Sequence, residues 1–316
     1  MTELPAFNSL PEGKHGGRLG WHQFGEKDDI GTVNLLTPER IAAAARLVRK
    51  GIAFPLNAPL DLFNPTLTAS RGVARHRVLT TNLELFTGMD DVYDNVYPQV
   101  SSQWDSLAHA SYSPGVFYNG VTAAEITGGH RNTINHWAER GIVGRGVVLD
   151  MTTAISPYDP GSTIAFSVAD LERARDQAGI TLETGDILII HTGFAAWYRD
   201  LPVEQKQVLP KLLQMPGLEH SEEMCSYLWN VHAAAVVSDN LAVEVWPPDT
   251  NPHAAPYGFL HQMLIGSLGL ALGELWWLAD LVADCRDDGV YEAMLVSAPI
   301  NQPGGIGSPA NAIALK

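Results

Sequence analysis

The sequence has few cysteines and few basic residues, and these two shortages exclude several classes of protein. Only Cys225 and Cys285 occur, and neither belongs to a Cys-x-x-Cys pattern, so a structural disulfide or a zinc knuckle is not expected. Lysine and arginine number 20 against 35 acidic residues, which gives a formal net charge of -15. Because phosphate backbones are bound by clustered Lys and Arg, we expect no nucleic-acid partner.

Long apolar runs are also missing. The most apolar window, MLIGSLGLALGELWWLADL, is interrupted by Glu274 and Asp280, so we predict no membrane span. The first twenty residues lack the basic start and the apolar run of a secretory signal. These absences predict a soluble, cytoplasmic protein.

The motifs of covalent catalysis and of nucleotide binding are absent as well. No Gly-x-Ser-x-Gly elbow occurs, and neither cysteine lies beside a base that would activate it. The glycine-rich stretch QPGGIGSP lacks the Lys-Ser/Thr pair and the helix start of a phosphate loop. We therefore expect neither a nucleophilic side chain nor a bound nucleotide.

The signals that are present indicate alternating helices and buried strands. TPERIAAAARLVRKG predicts a helix with Thr37 as N-cap, Pro38 in the first turn and Gly51 as the stop, and SVADLERARDQAGI has Ser167 and Asp170 in the positions of a capping box. RGVVLDMT, GDILIIHTGF and AAAVVSDN read as buried strands. The pattern predicts a single mixed α/β domain.

No linker or internal repeat divides the 316 residues. Residues 1–30 are rich in glycine, proline and charge, which predicts an extended arm that crosses the surface or reaches a neighbouring subunit. The domain itself is expected to occupy residues 31–316.

One polar stretch, QVSSQWDSLAHASY at residues 99–112, stands out by its spacing. If the stretch is a strand, side chains two residues apart share one face, which here would carry Gln99, Ser101, Gln103 and Asp105. His109 follows Asp105 by four residues, so it would lie on the same face if the strand continued that far. A carboxylate and amide oxygens on one face can hold a divalent cation, and a nearby histidine can exchange protons with water. Spacing alone leaves open an edge strand with a solvated polar face.

This stretch resembles the metal motif of the cyclase family of metal-dependent hydrolases, the family of bacterial kynurenine formamidase, isatin hydrolase and trans-dienelactone hydrolase. That motif reads His-x-x-x-His-x-Asp-x-x-x-His, and here its positions are taken by Gln99, Gln103, Asp105 and His109. Two imidazoles have thus become amides. The segments DDIGTVNLLTPERIAAAARLVRKGIAFPL, FYNGV, GRGVVLDM, GDILIIHTGF, AAAVVSDNLAVEVWP and LVSAPINQPGGIGSPANAIAL also resemble family blocks, in the same order.

The resemblance implies the cyclase-type swivelling β/β/α fold, with mixed sheets and flanking helices. It also implies two further metal ligands, a His and a Glu slightly over a dozen residues apart, which HQMLIGSLGLALGELWWL supplies as His261 and Glu274. On a continuous helix these two would point about 140° apart. Either His261 precedes the helix, or Gly266 and Gly269 bend the path.

The implied site holds one divalent metal ion, Mn²⁺ or Zn²⁺, on Asp105, His261 and Glu274, with Gln103 as a further oxygen ligand or as a hydrogen-bond partner of bound water. Oxygen-rich ligation favours Mn²⁺. The implied activity is hydrolysis of an amide or ester bond in a lactone, a cyclic amide or an N-formyl group, with His109 as general base.

The substrate is expected to be a small molecule. The resemblance also implies a homo-oligomer, a dimer or a tetramer, which we expect to form through the N-terminal arm. Pocket-lining roles are predicted for four residues: Trp104, Phe117, Tyr118 and Asn119. Filling of the core or of subunit contacts is the alternative for these aromatics.

Two other functions remain compatible with the same residues. A lyase, hydratase or ring-closing enzyme could use the same metal and His109, because Lewis acidity is not confined to hydrolysis. A catalytically silent binding protein is suggested by Gln99 and Gln103, since a fold does not fix an activity.

Several polar residues outside the motif have open roles. His191, in an apolar strand, is a core histidine or a strand-end functional group, and His130 and His136 face different ways on a helix. Three further polar residues follow a buried strand: Asp239, Asn240 and Glu244. They either hydrogen-bond to the metal ligands from outside or shape a turn.

Overall fold

Most strands of the chain join one mixed sheet. The computed structural model describes residues 4–316. Its strands are Ala53–Pro55 (β1), Arg75–Asn82 (β2), Thr87–Asp94 (β3), Gln103–Asp105 (β4), Ile142–Asp150 (β5), Ala165–Phe166 (β6), Ile187–His191 (β7), Gly217–Leu218 (β8), Ala235–Ser238 (β9), Ala271–Glu274 (β10), Glu292–Ser297 (β11), Gly307–Pro309 (β12) and Ala312–Leu315 (β13). Nine of them form a sheet with the order β1-β13-β11-β5-β7-β9-β10-β4-β12.

The centre of this sheet is parallel and its two sides are antiparallel. β5, β7, β9 and β10 run in the same direction, whereas β11 on one side and β4 on the other run against them. The apolar run of β7 is fully buried, because both faces of a central parallel strand are covered. The carboxyl ends of four strands therefore meet at one edge of the sheet, and the polar side chains there are buried.

Helices cover the sheet, and the sequence signals for two of them are confirmed. Thr37 accepts a hydrogen bond from the Arg40 amide at the start of α1, and Ser167 and Asp170 form a capping box on α5. The α-helices are Pro38–Ala44 (α1), Ala123–Gly129 (α2), Asn135–Arg140 (α3), Met151–Ala154 (α4), Val168–Gln177 (α5), Phe194–Asp200 (α6), Val203–Val208 (α7), Glu222–Asn230 (α8) and Ala279–Asp288 (α9). The expected mixed α/β domain is confirmed.

The predicted end of the first helix is wrong. α1 ends at Ala44 and continues only as a short 3-10 turn, Ala45–Leu47, and Val48 is already extended. The chain leaves the helix early because it must turn toward β1, which pairs with the final strand. Gly51 therefore lies beyond the helix and does not stop it.

The polar strand predicted from residue 99 is also shorter than expected. Pro98–Val100 forms a 3-10 turn, since a proline fits the first position of such a turn, and β4 begins only at Gln103. β4 lies between β10 and β12, so it is a buried strand and not a solvated edge. Gln99 consequently does not share the face of Gln103 and Asp105.

The N-terminal segment packs on its own domain. Phe7 is fully buried, Trp229 donates a 2.8 Å hydrogen bond to the Pro5 carbonyl, and Trp21 donates one to the Gly266 carbonyl at 3.0 Å. The segment thus crosses the surface of the same chain, from residue 4 onward; residues 1–3 of the predicted arm lie outside the described residues. Among residues 4–316 no helix is both long enough and apolar enough to cross a bilayer.

Candidate metal centre

Three polar side chains meet where the parallel part of the sheet joins β4. Gln103 pairs with Glu274 and Asp105 pairs with Leu272 in the antiparallel register of β4 and β10. Because cross-strand partners share a face and side chains alternate along a strand, Gln103, Asp105 and Glu274 project to the same side. The Gln103 amide Nε2 donates a 2.6 Å hydrogen bond to Glu274 Oε2.

His261 reaches the same place by a path that is not a continuous helix. It stands immediately before a π-helix, Gln262–Ser267, and Gly269, with φ of +68°, then turns the chain into β10. Of the two paths that the sequence allowed, His261 before the helix or a helix bent at its glycines, the structure has the first. The Nε2 of His261 lies 2.8 Å from Glu274 Oε1. A π-helical turn of this kind is frequent at functional sites.

Asp105, His261 and Glu274 each direct one ligand atom into a shared space. These atoms lie within 4.8 Å of one another, and all three residues are buried. Both carboxylate oxygens of Asp105 and the amide Oε1 of Gln103 are buried without a hydrogen-bond partner. A buried carboxylate without a partner costs several kcal/mol, roughly as a broken buried ion pair does. A positive charge at this point would remove that cost.

The donor set fits a divalent cation. Two carboxylates, one imidazole and an unpaired amide oxygen are suited to Mn²⁺ and similar ions, and three protein ligands leave positions open for water or substrate. The contact between His109 Nδ1 and Asp105 Oδ1, at 3.4 Å, is too long and too poorly aligned to satisfy the carboxylate. The unpaired oxygens are therefore the observation that fits a cation to this site.

The electrostatics of the site reflect crowded negative charge. Burial and the charge of Asp105 together raise the pKa of Glu274 to about 7. Burial alone would lower the pKa of His261, but its hydrogen bonds to Glu244 and Glu274 raise that pKa well above its ordinary value. Both raised pKa values mean that Glu274 and His261 bind protons more readily, which reduces the negative charge of the site.

Glu244 supports His261 from behind. Its Oε1 lies 2.6 Å from His261 Nδ1, and its Oε2 accepts a hydrogen bond from the Leu260 amide. A carboxylate on the far nitrogen of a ligating histidine fixes the ring and its tautomer. The contacts of Glu244 therefore favour a role in orienting His261 over a role in shaping a turn. Asn240 shapes the turn, since its Oδ1 accepts a hydrogen bond from the Val243 amide at 2.7 Å.

His109 lies beside the three candidate ligands at the wall of an open cavity. Its ring centroid is 6.2 Å from that of His261, and burial lowers its pKa, which keeps the imidazole neutral near pH 7. The cavity has a volume of about 390 Å³, and its wall also includes Phe259 and Gln262. Phe259 stacks on His261 at a centroid distance of 4.7 Å. A neutral imidazole between the cavity and the ligands can accept a proton.

Three of the four residues predicted to line the pocket are buried and do not form the wall of the cavity beside His109. Trp104 is fully buried, donates to Ser297 Oγ and packs edge-on against Trp276. Tyr118 donates to Asp28, and Asn119 donates to the carbonyls of Gly25 and Asp28, so both hold the N-terminal segment in place.

Phe117 is partly buried and packs against the cluster of Ala108, Val121 and Ile126 behind His109. These aromatics fill the interior because the strand and turn that carry them face other elements, which the local sequence does not encode.

Two residues near the site carry no signal in the sequence that would have identified them. His220 Nε2 lies 2.8 Å from Glu244 Oε2, so Glu244 joins two histidines. Arg71 donates to the carbonyl of Gln99, and its charge acts on both His109 and Glu274. Both residues lie in loops that are distant in sequence from the residues they approach, and neither belongs to a motif.

A second buried cluster lies at the carboxyl ends of the parallel strands. His191 Nδ1 lies 3.0 Å from Asp150 Oδ1, and Asp150 also accepts from Arg286. Asp239 accepts from the backbone and the hydroxyl of Thr192. These groups satisfy one another, which identifies His191 as a hydrogen-bonded core histidine.

Fold and site together define an α/β domain with a buried carboxylate-imidazole centre, and comparison gives the family. The family model described as Putative cyclase matches residues 56–245, more than half of the chain. This protein belongs to that family. The matched range includes Asp105 and His109, while His261 and Glu274 follow it.

Solved structures share the fold over nearly the whole chain. A crystal structure described as a novel cyclase is 33% identical, with a TM-score of 0.84, and the match covers 94% of this chain and 99% of that one. Isatin hydrolase A from Ralstonia solanacearum is 16% identical with a TM-score of 0.59, over 89% and 98% of the two chains. An isatin hydrolase bound to the product analogue thioisatinate is 14% identical with a TM-score of 0.57, over 86% and 94%. No curated protein matches.

Proposed function

We propose that this protein is a metal-dependent hydrolase that cleaves an amide or ester bond in a small molecule such as a lactone, a cyclic amide or an N-formyl compound. The observation that carries the proposal is the buried, unpaired carboxylate of Asp105 facing His261 and Glu274. Family membership and the fold shared with isatin hydrolases support it. The donor set favours Mn²⁺ over Zn²⁺ as the ion.

Asp105, His261 and Glu274 would hold the cation, and each has a support that fixes its position. Gln103 anchors one oxygen of Glu274, while Glu244 holds the far nitrogen of His261. When bound, a divalent cation supplies Lewis acidity, which polarises a carbonyl group and acidifies water. These contacts should raise the affinity for the cation, because side chains that are already oriented lose little entropy when it binds.

His109 would carry the proton through the reaction. It accepts a proton as water attacks the carbonyl carbon, and it returns that proton to the nitrogen or oxygen that leaves when the C–N or C–O bond breaks. Burial lowers the pKa of the His109 imidazole, so its neutral, accepting form predominates at pH 7. Its place on the cavity wall lets it reach a substrate that enters there.

Metal content is the direct test of the centre. Purified without chelator and reconstituted with Mn²⁺ or Zn²⁺, the wild type should retain close to one ion per chain by elemental analysis. Asp105→Asn should retain none, whereas Asp61→Asn, an exposed carboxylate outside the centre, should bind as the wild type does. Correctly folded wild-type protein that binds no divalent ion would overturn the proposal in favour of a silent binding protein.

The role of His109 requires a substrate, which a panel of lactones, cyclic imides and N-formyl arylamines can provide. His109→Ala should lower kcat by about 10²- to 10⁴-fold, the usual contribution of a general base. Its metal content should stay at the wild-type value. Full turnover by His109→Ala would show that this residue does not transfer the proton.

The type of reaction, hydrolysis or elimination and ring closure, can be identified with ¹⁸O-labelled water. Hydrolysis places one ¹⁸O atom from solvent in the carboxylate product, whereas elimination or ring closure leaves the product unlabelled. A product without solvent oxygen, formed by the metal-loaded enzyme, would replace the hydrolase with a lyase or cyclase.

A further inference from the structure

Arg71 is a half-buried arginine without an acidic partner. Among residues 4–316 it forms no ion pair with a carboxylate, and its one side-chain hydrogen bond runs from Nη1 to the Gln99 carbonyl at 2.5 Å. Other partly buried arginines, such as Arg131 and Arg145, pair with carboxylates at 2.6 and 3.0 Å. Acidic partners are abundant in this chain, with 35 acidic against 20 basic residues. The positive charge of Arg71 nevertheless remains available to another group.

The contact with Gln99 leaves one edge of the guanidinium group free. Nε and Nη2 have no hydrogen-bond partner among residues 4–316, and neither atom is fully buried, so both are open to solvent. The N–H groups of this edge point in parallel, at a spacing that matches the two oxygens of a carboxylate. The bond from Nη1 to a backbone carbonyl restricts rotation of the group, so less entropy is lost when a ligand binds to the free edge.

Backbone pairing places Arg71 close to the candidate metal centre. The side-chain amide of Gln99 packs against Gly307, since a Cβ at Gly307 would lie 2.3 Å from Gln99 Nε2. Gly307 is the partner of Asp105 in the register of β4 and β12. The charge of Arg71 also acts on His109. Arg71 is therefore a neighbour of the groups that would hold the cation and move the proton.

Open space lies next to Arg71. Thr66 Oγ1 donates a 2.9 Å hydrogen bond to the Arg71 carbonyl, and Thr66 is in the wall of a cavity of about 330 Å³, a volume typical of small-molecule sites. Among the described residues of this wall Asp61 alone is acidic, and it is exposed to solvent. Much of the wall is apolar: Leu60, Phe63, Val73, Ala74 and Val100. A small molecule with an apolar body therefore has room beside Arg71.

The charges of the centre leave Arg71 unbalanced once a cation is bound. The carboxylates of Asp105 and Glu274 together balance the two positive charges of a divalent ion, and the charge of Arg71 then has no counterpart beside it. The net charge of -15 repels anions at long range, so binding of an anion requires a local positive group. An anionic group on the substrate would be the electrostatic complement of Arg71.

We propose that Arg71 binds a carboxylate group of the substrate through Nε and Nη2, so that the protein selects amides or esters that carry a carboxylate apart from the bond that breaks. This inference rests on the proposed hydrolase function and names the class of its substrate. Two parallel hydrogen bonds fix a direction as well as a distance, so they also orient the substrate. A neutral substrate of the same shape leaves these donors to water.

Matched pairs of probes measure the preference. Each pair is a carboxylate and its carboxamide: 4-formamidobenzoate with 4-formamidobenzamide, 5-oxopyrrolidine-2-carboxylate with its amide, and 5-oxotetrahydrofuran-2-carboxylate with its amide. Release of formate or opening of the ring reports turnover by the Mn²⁺-loaded wild type. In any pair that is turned over, kcat/KM should be about 10- to 100-fold higher for the carboxylate, as charge-assisted hydrogen bonds predict. Equal values for the two members would overturn the proposal.

Arg71→Gln separates recognition from a structural role. In this variant the ratio of kcat/KM between carboxylate and carboxamide should fall to within about threefold of one. Arg71→Lys keeps the charge without the fork, so it should retain part of the preference. Arg49→Gln is the matched control: Arg49 is exposed and precedes β1, at the opposite edge of the sheet from β12, so the ratio should stay at the wild-type value. A ratio that Arg71→Gln leaves unchanged, with both probes slowed equally, would show that Arg71 is only structural.

Binding can be observed without turnover. In ¹H–¹⁵N spectra of the Zn²⁺-loaded protein, the Nε–H signal of Arg71 is the one that disappears in Arg71→Lys. It should shift when 4-formamidobenzoate is added and stay in place when 4-formamidobenzamide is added. A shift without hydrolysis of any probe would support the carboxylate site and contradict the hydrolase function. Hydrolysis without a shift and without a preference would leave the hydrolase function standing and overturn the carboxylate site.

Discussion

At the scale of single residues, Gln103 and Gln99 take the places of two motif histidines and yet have different surroundings. Gln103 anchors Glu274, whereas Gln99 lies in the turn before β4 and offers its carbonyl to Arg71. We expect Gln103→Ala to weaken divalent metal binding by about 10- to 100-fold, the usual cost of losing a ligand's support. Titration calorimetry would measure this.

Gln99→Ala is the matched control, since it removes an amide from the same motif without touching a ligand. Its metal affinity should stay within about twofold of the wild type. Equal losses in both variants would mean that the whole segment, and not the contact to Glu274, determines the affinity.

The candidate ligands could be named from the sequence, but the residues that contact them could not. Asp105 and Glu274 were identified by family resemblance, and the structure brings their ligand atoms within reach of His261. His220 and Arg71 were missed because their proximity depends on how distant loops close. The sequence could not show that Trp104 and Tyr118 are fully buried, because an aromatic residue in the core and one in a pocket have the same local pattern.

At the scale of elements, the link between the π-helix and β10 determines where His261 lies relative to Glu274. Gly269 has φ of +68°, and a Cβ there would lie 2.4 Å from Tyr118 Cε2. Gly269→Ala should therefore destabilise the fold by about 3 kcal/mol or more, from backbone strain and overpacking together. Urea unfolding would measure the change.

Gly179→Ala separates the two causes. Gly179 has a similar φ of +66°, but nothing lies within 4 Å of a Cβ built there. Only backbone strain applies, so we expect a loss of about 1 kcal/mol. If the two variants lost equal stability, the close approach of Tyr118 would contribute nothing.

Helix starts marked by local capping residues were predicted well, whereas the start of β4, which long-range pairing determines, was not. The capping box of Ser167 and Asp170 acts over one helical turn, so four residues are enough to reveal it. β4 is bounded by the turn at Pro98 and by pairing with β10 and β12, which begin about 170 and 200 residues later. Alternation of polar residues could not show where that strand starts.

At the scale of the whole molecule, the unpaired carboxylate of Asp105 predicts that stability depends on bound metal. A cation at 100 times its Kd adds about 2.7 kcal/mol to the free energy of unfolding. For a chain of 316 residues the Tm should rise by roughly 4 °C. Differential scanning calorimetry with and without Mn²⁺ would measure it, and chelator should reverse the rise.

Asp105→Asn should reverse the order of stabilities. With chelator present, this variant should unfold at or above the wild-type Tm, because it removes a buried charge that has no partner, by about 1 kcal/mol or more. Added Mn²⁺ should leave its Tm unchanged. A rise equal to that of the wild type would place the ion elsewhere.

β4 is held between two strands that both come from the last fifty residues of the chain. During synthesis on the ribosome, Asp105 has been made long before either neighbour exists. The candidate cation pocket can consequently assemble only after residue 309 has left the exit tunnel. Loading with metal should therefore wait for β10 and β12, and a product of early termination that lacks both strands should bind no ion.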